Sequence, residues 1–171
     1  PLSQLGNPTP YTVQGGKVKA DAWLYNANVT FSPVDKHTIY ASFNQGFQLP
    51  DVGIVIRNAT AGFNLASSFL EPVKVDNYEL GWKGDFSNFT SSLAVFHSTS
   101  DLGGVQSFNN GLILARTKEK ISGVEATLDY LDDNNVWGSG GSVTWMKGRE
   151  TPQNTNVEQD MTGFRIPPLK L

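Results

Sequence analysis

Between clusters of Gly, Pro, Asn, Asp and Ser, apolar and polar residues alternate along this chain with a period of two. That is the period of a β-strand, whose successive side chains point to opposite faces. Residues 22–32 set Trp23, Tyr25, Ala27, Val29 and Phe31 against Leu24, Asn26, Asn28 and Thr30. After a short turn from Ser32 to His37, residues 38–46 set Ile39, Ala41 and Phe43 against Tyr40, Ser42 and Asn44. A Gly/Asn/Ala-rich stretch, 47–72, has no strong period. Residues 73–86 resume with Tyr78, Leu80, Trp82 and Phe86 on one face and Asn77, Glu79, Gly81 and Lys83 on the other. Asp85 to Asn88 predicts a tight turn. Residues 89–107 continue as a strand, with the run from Phe89 to Phe96 compatible with either face assignment. Asn109-Asn110-Gly111 breaks it. Residues 113–131 set Val124, Ala126, Leu128 and Tyr130 against Glu125, Thr127 and Asp129, and Asp132 to Asn135 turns the chain. A strand over 137–148 carries Val143 and Trp145 on one face, 149–162 reads as a polar loop, and 163–171 starts a last strand. No amphipathic helix with caps is found.

The pattern predicts an all-β, antiparallel up-and-down meander of about seven hairpin-connected strands. Its connections alternate in length. Those at 33–37, 86–89 and 132–136 are short, and those at 47–72, 108–112 and 149–162 are longer. Short turns on one side and long loops on the other characterise an outer-membrane barrel. Several strands also reach the ~9–11 residues needed for a tilted membrane crossing. A soluble β-sandwich shows the same alternation. Three features favour the barrel: the alternating loop lengths, the polar residues opposite each apolar face, and the placement of Trp23, Tyr25, Tyr78 and Trp82 near strand ends, where an aromatic girdle would sit.

Composition narrows the chemistry. The 171 residues carry a net charge of −3 and no basic run, so nucleic acid is not an expected partner. There is no cysteine, hence no disulfide, thiolate metal site or thiol nucleophile. No apolar run approaches the ~20 residues of a membrane helix, and no signal segment opens the chain. Its ends, at Pro1-Leu2-Ser3 and Pro168-Leu169-Lys170-Leu171, suggest an internal fragment of a longer protein.

Four segments resemble TonB-dependent outer-membrane receptors, in family order. They are Thr-Ile-Tyr-Ala-Ser-Phe-Asn-Gln-Gly-Phe-Gln-Leu-Pro-Asp at 38–51, Leu-Glu-Pro-Val-Lys-Val-Asp-Asn-Tyr-Glu-Leu-Gly-Trp-Lys-Gly at 70–84, Ile-Ser-Gly-Val-Glu at 121–125, and Gly-Phe-Arg-Ile-Pro-Pro-Leu-Lys-Leu at 163–171. Within the family the likeness is to ferric-siderophore receptors of the hydroxamate or aerobactin kind. The resemblance implies a segment of a transmembrane β-barrel of about 22 strands in the bacterial outer membrane. Residues 1–171 would be a partial barrel domain, with neither the N-terminal plug domain nor the C-terminal last strand. The implied partners are a ferric siderophore, outer-membrane lipid, and the TonB complex, reached through the plug region. Alternatives are the same barrel with cobalamin, haem or a saccharide as cargo, or a soluble β-sandwich binding module.

The resemblance implies a transport protein and not an enzyme, and the residues offer no catalytic arrangement against it. Glu79 and Glu125 lie on polar faces without the spacing of a catalytic pair, and read as lumen-facing wall residues together with Asn77 and Lys83. His37, in a turn, and His97, on a strand of open parity, are too far apart to make a metal cluster or a triad. No cofactor is expected, because a siderophore wraps its iron in its own ligands. Gly15-Gly16 and Gly138-Ser139-Gly140-Gly141 lack the features of a phosphate loop. The sequons Asn58-Ala59-Thr60 and Asn88-Phe89-Thr90 carry no meaning in a bacterial protein. The loop 47–72 is the candidate ligand site. Its Phe47, Arg57, Asn58, Phe63, Asn64 and Phe69 supply aromatic rings, amides and a cation suited to an anionic or amide-rich chelate.

Overall fold

The computed structural model describes residues 17, 19, 21–48, 72–107, 113–152, 157–161 and 166. Among them lie seven strands: β1 (Asn26–Val34), β2 (His37–Gln48), β3 (Val73–Phe86), β4 (Phe89–Ser107), β5 (Ile113–Leu131), β6 (Gly138–Pro152) and β7 (Gln159–Asp160). They form one antiparallel sheet in chain order, each strand paired with the next. This is the expected meander. The described residues include no helix long and apolar enough to cross a membrane.

β3, β4 and β5 have the predicted limits. β1 does not. Trp23 and Tyr25 precede it, and it runs on through Pro33 to Val34. The turn shrinks to Asp35 and Lys36, with Lys36 at φ 65°. Proline cannot donate to the ladder, and the β1–β2 register shifts between Phe31 and Val34. β6 also outruns its prediction. It continues to Pro152, and Gln159–Asp160 then pairs back on Glu150 and Arg149, where a polar loop was expected. The hydrogen bond from Met161 N–H to the Gly148 carbonyl extends that pairing. The strand expected over 163–171 lies outside the described residues, apart from Ile166.

Directly paired residues share a face. The row Val29, Ala41, Leu80, Val95, Val124, Trp145 therefore runs along one face from β1 to β6. That face also carries Ile39, Phe43, Tyr78, Trp82, Phe86, Phe89, Leu93, Leu128, Tyr130 and Val143. The other carries Asn28, Ser42, Asn77, Glu79, Lys83, Ser92, Glu125, Thr127 and Thr144. The parity of β4 is settled: Leu93 and Val95 are on the apolar face, Phe96 on the polar one.

A soluble sandwich would cover the apolar face with a second sheet about 10 Å away. The described residues form one layer instead. Leu80 is 53% exposed, Leu128 53% and Trp145 50%, so the face has no covering layer among the described residues. Its extent matches a bilayer. From Tyr78 to Phe86 the strand makes eight steps of about 3.3 Å, and a tilt of ~35–45° leaves about 20 Å of height, against an apolar band of about 25 Å.

The short turns are tied to each other. Asp85 N–H donates to the Lys36 carbonyl at 2.9 Å, and Leu131 N–H to the Asn88 carbonyl at 2.9 Å. In the β5–β6 turn the Asp132 carboxylate accepts from the N–H groups of Val136 (2.7 Å) and Trp137 (3.0 Å). Those donors, led by Trp137, hold its pKa below the usual carboxylate value. On the apolar face near these turns the rings cluster. His37 stacks on Trp82 with centroids 5.8 Å apart and meets Phe86 edge-on at 4.9 Å, so it belongs to β2 and its aromatic cluster, not to the turn.

Candidate functional site

The polar face gathers its functional groups around Tyr40. Its hydroxyl donates to Glu79 Oε1 at 2.6 Å, and Lys83 Nζ stands 5.6 Å from its ring centroid. The row Tyr40, Gly81, Ala94, Glu125 crosses four strands, which brings Glu125 to the same level. Gly81 lets this happen: a Cβ there would run into the Tyr40 ring. Phe96 uses Gly123, its direct partner on β5, in the same way. Both rings lie down along the wall and keep the space above the sheet open. Ser92 and Thr127 hydroxyls bond across β4–β5 at 2.7 Å. The wall is therefore lined with carboxylate, ammonium and hydroxyl groups that engage one another.

Asn77, Glu79, Lys83 and Glu125, expected to share the inward face, do share one face. Asn77 pairs with Asn44 and Ser98, two residues beyond Glu79 toward the long loops. Of the candidate ligand residues, Phe47 falls within β2 opposite Lys74, on the apolar face and not beside Tyr40 and Glu79. Arg57, Asn58, Phe63, Asn64 and Phe69 lie outside the described residues. His97 joins the apolar face, where its Nδ1 is 2.7 Å from Ser122 Oγ. Among the described residues no group of three His, Asp or Glu side chains converges as a metal site.

A second polar cluster was not anticipated. Beyond Trp145 the apolar face turns basic, with Lys120, Lys147 and Arg149. Glu158 reaches Lys120 Nζ at 3.3 Å and Arg149 Nη1 at 3.2 Å, while Asp160 reaches Lys147 Nζ at 3.5 Å. The hydrogen bond from Lys120, its strongest influence, holds the Glu158 carboxyl below its usual range, and Arg149 adds to it. Each exposed pair is worth little alone. Together they draw 157–160 back onto β6. On the opposite face Glu150 accepts from Gln159 Nε2 at 2.9 Å. The alternation of Trp145, Lys147 and Arg149 was a readable signal for the point where the apolar band ends; the acidic partners were not readable, because they depend on the fold-back at β7.

The comparisons with known proteins agree with this architecture. A ferric aerobactin receptor of Klebsiella pneumoniae is 29% identical over 161 residues, 87% of this chain and 22% of that receptor. The ferric aerobactin receptor of Escherichia coli is 28% identical over 151 residues, 81% of this chain and 21% of its own length. A rhizobactin receptor of Rhizobium meliloti (strain 1021) is 34% identical over 101 residues, 53% of this chain and 14% of that receptor. The chain thus spans about a fifth of the length of the aerobactin receptors it matches. No solved structure matches it. The family model described as TonB dependent receptor-like, beta-barrel matches residues 3–171, and with its two-faced meander of hairpins this chain belongs to that family.

Proposed function

We propose that this chain is part of the wall of an outer-membrane receptor that takes up a ferric siderophore with energy supplied through TonB. The observation that carries the reading is the single sheet with one uncovered apolar face and one hydrogen-bonded polar face, in a chain similar over most of its length to receptors named for aerobactin. In this reading the apolar face meets lipid and the polar face lines the lumen, against which an N-terminal plug would rest. The short turns lie on the periplasmic side and the connections 49–72, 108–112 and 153–158 on the outside. The iron is cargo, held by the siderophore's own oxygen atoms, so the wall has no ligation to perform.

The first outer connection carries the chelate contact in this proposal. Arg57 offers a cation to an anionic chelate, and Phe63 and Phe69 offer rings to its apolar parts. Phe47, standing on the outward face, has a supporting place at the base of that loop. The test is uptake of radio-iron as ferric aerobactin by cells carrying the intact receptor as their sole siderophore receptor. Uptake should require TonB, and deleting 54–66 should weaken chelate binding while the barrel still assembles. Uptake that persists without TonB would refute the transport reading, and unchanged affinity after the deletion would move the contact to another loop.

A further inference from the structure

The β1–β2 ladder ends in a side chain. Its last pair is Asn26 opposite Asn44, while β2 and β3 stay paired as far as Gln48 and Val73. The next pair would be Tyr25 and Gln45, exchanging two backbone hydrogen bonds. Gln45 N–H does donate to the Tyr25 carbonyl, at 3.0 Å. The Tyr25 N–H donates to the side-chain Oε1 of Gln45, at 3.1 Å. The side-chain amide thus stands where the peptide carbonyl would.

The other end of the same amide is used as well. Its Nε2 donates to Asp76 Oδ1 at 2.7 Å, a charge-assisted bond to the residue directly opposite on β3. A glutamine side chain has an accepting end and a donating end, and here the two serve different neighbours. Gln45 therefore joins three segments: the chain entering β1, the outer end of β2 and the outer start of β3.

Connection 49–72 springs from two of these segments. Gln45 lies three residues before the end of β2, and Asp76 three after the start of β3. Both stems of the connection therefore begin about 10 Å above the bridge, at 3.3 Å per residue. Phe47 is two residues further along β2, on the same face. The ladders do not depend on the bridge, since β2 and β3 pair continuously from His37 to Gln48. What it fixes is the stance of the chain entering β1 against the stems of 49–72.

We propose that Gln45 is a positioning residue for chelate recognition, holding the stems of connection 49–72 against the chain that enters β1; this rests on the reading that the connection touches the chelate. A binding site whose supporting groups are loosened by even about 1 Å loses much of its effect. The test is equilibrium binding of ferric aerobactin to the intact receptor in micelles, with assembly scored by heat-modifiable migration. Gln45→Glu keeps an acceptor for the Tyr25 N–H but sets a carboxylate directly opposite Asp76. It should weaken binding several-fold while assembly stays intact. Adding Asp76→Asn gives that carboxylate a donor again, and affinity should return. Gln45→Met, of similar length but without either hydrogen-bonding end, should weaken binding likewise and gain nothing from Asp76→Asn. A loss in Gln45→Glu that Asp76→Asn does not restore would leave Gln45 a structural role alone and overturn the proposal. Wild-type affinity in Gln45→Glu and Gln45→Met, with binding weakened by deletion of 54–66, would overturn the proposal and keep the contact at this connection. Wild-type affinity in all three would overturn both.

Discussion

Gly81→Ala should reverse its effect according to what stands at position 40. A methyl group at Gly81 runs into the distal end of the Tyr40 ring. The ring can only swing away, which breaks its 2.6 Å hydrogen bond to Glu79. A hydrogen bond to a charged group is worth about 1.5–3 kcal/mol, and part-exposure on this wall brings that to about 1. Holding the ring away from its preferred rotamer costs ~0.5–1.5 kcal/mol more. Against this, Ala is better than Gly in a strand interior by about 0.5–1 kcal/mol. The balance with Tyr40 present is a loss of about 1 kcal/mol. In a Tyr40→Ala background only the backbone gain remains, and Gly81→Ala should stabilise by ~0.5–1 kcal/mol. The coupling of about 2 kcal/mol is within the range for residues in direct contact. The assay is urea unfolding of four receptors in micelles, comparing midpoints at constant slope. Tyr40→Phe, which keeps the ring and drops the hydroxyl, separates the two causes: there the rotamer cost and the backbone gain nearly cancel, and Gly81→Ala should fall between its effects in the Tyr40 and Tyr40→Ala backgrounds. A change of the same sign and size in every background would refute the contact.

Three further outcomes follow from the two faces and the turns. Leu80→Arg should cost roughly 2–4 kcal/mol if Leu80 lies near the bilayer midplane, and should impair assembly scored by heat-modifiable migration, whereas Glu79→Gln on the opposite face should leave assembly intact. Near-wild-type assembly of Leu80→Arg would contradict a lipid-facing position. Trp82, with the other tryptophans replaced, should be dimmed by a lipid-soluble quencher in vesicles, and complete protection would count against this orientation of β3. Asp132→Asn should destabilise the β5–β6 hairpin at neutral pH. The folded pKa of Asp132 is lowered, so its contribution is complete above the unfolded value of about 3.9 and is lost as pH falls through the folded value. The stability difference between wild type and variant, followed by denaturant midpoint from pH 6 down to pH 2, should therefore close at the acid end; a constant difference would refute the assignment.

What the sequence revealed, and what it concealed, divides along the turns. The faces were legible because strand parity is a local property, and a one-residue slip would invert every face at once. Where a two-residue turn joins strands, register is legible too: Ser87-Asn88 sets Phe86 opposite Phe89 and hence Leu80 opposite Val95. Pro33 misled by its composition, since it sits inside β1 at a ladder irregularity and not in the turn. The shared polar face was legible at Glu79 and Glu125, but not the hydrogen bond of Glu79 to Tyr40. That needs the β2–β3 register, across the long connection 49–72. Phe96 confused the parity of β4 for the same reason, because its partner Gly123 lies beyond the loop 108–112. Parity alone tolerates a two-residue slip, which keeps every side chain on its own face. A two-residue slip would move Tyr40 off Gly81 and onto Glu79 or Lys83, and Phe96 onto Ile121 or Glu125, where no space exists for a ring lying flat. The two rings over glycine therefore supply, across the long connections, the register that the short turns supply elsewhere. Their loss should show first as slippage of β2 on β3 and of β4 on β5.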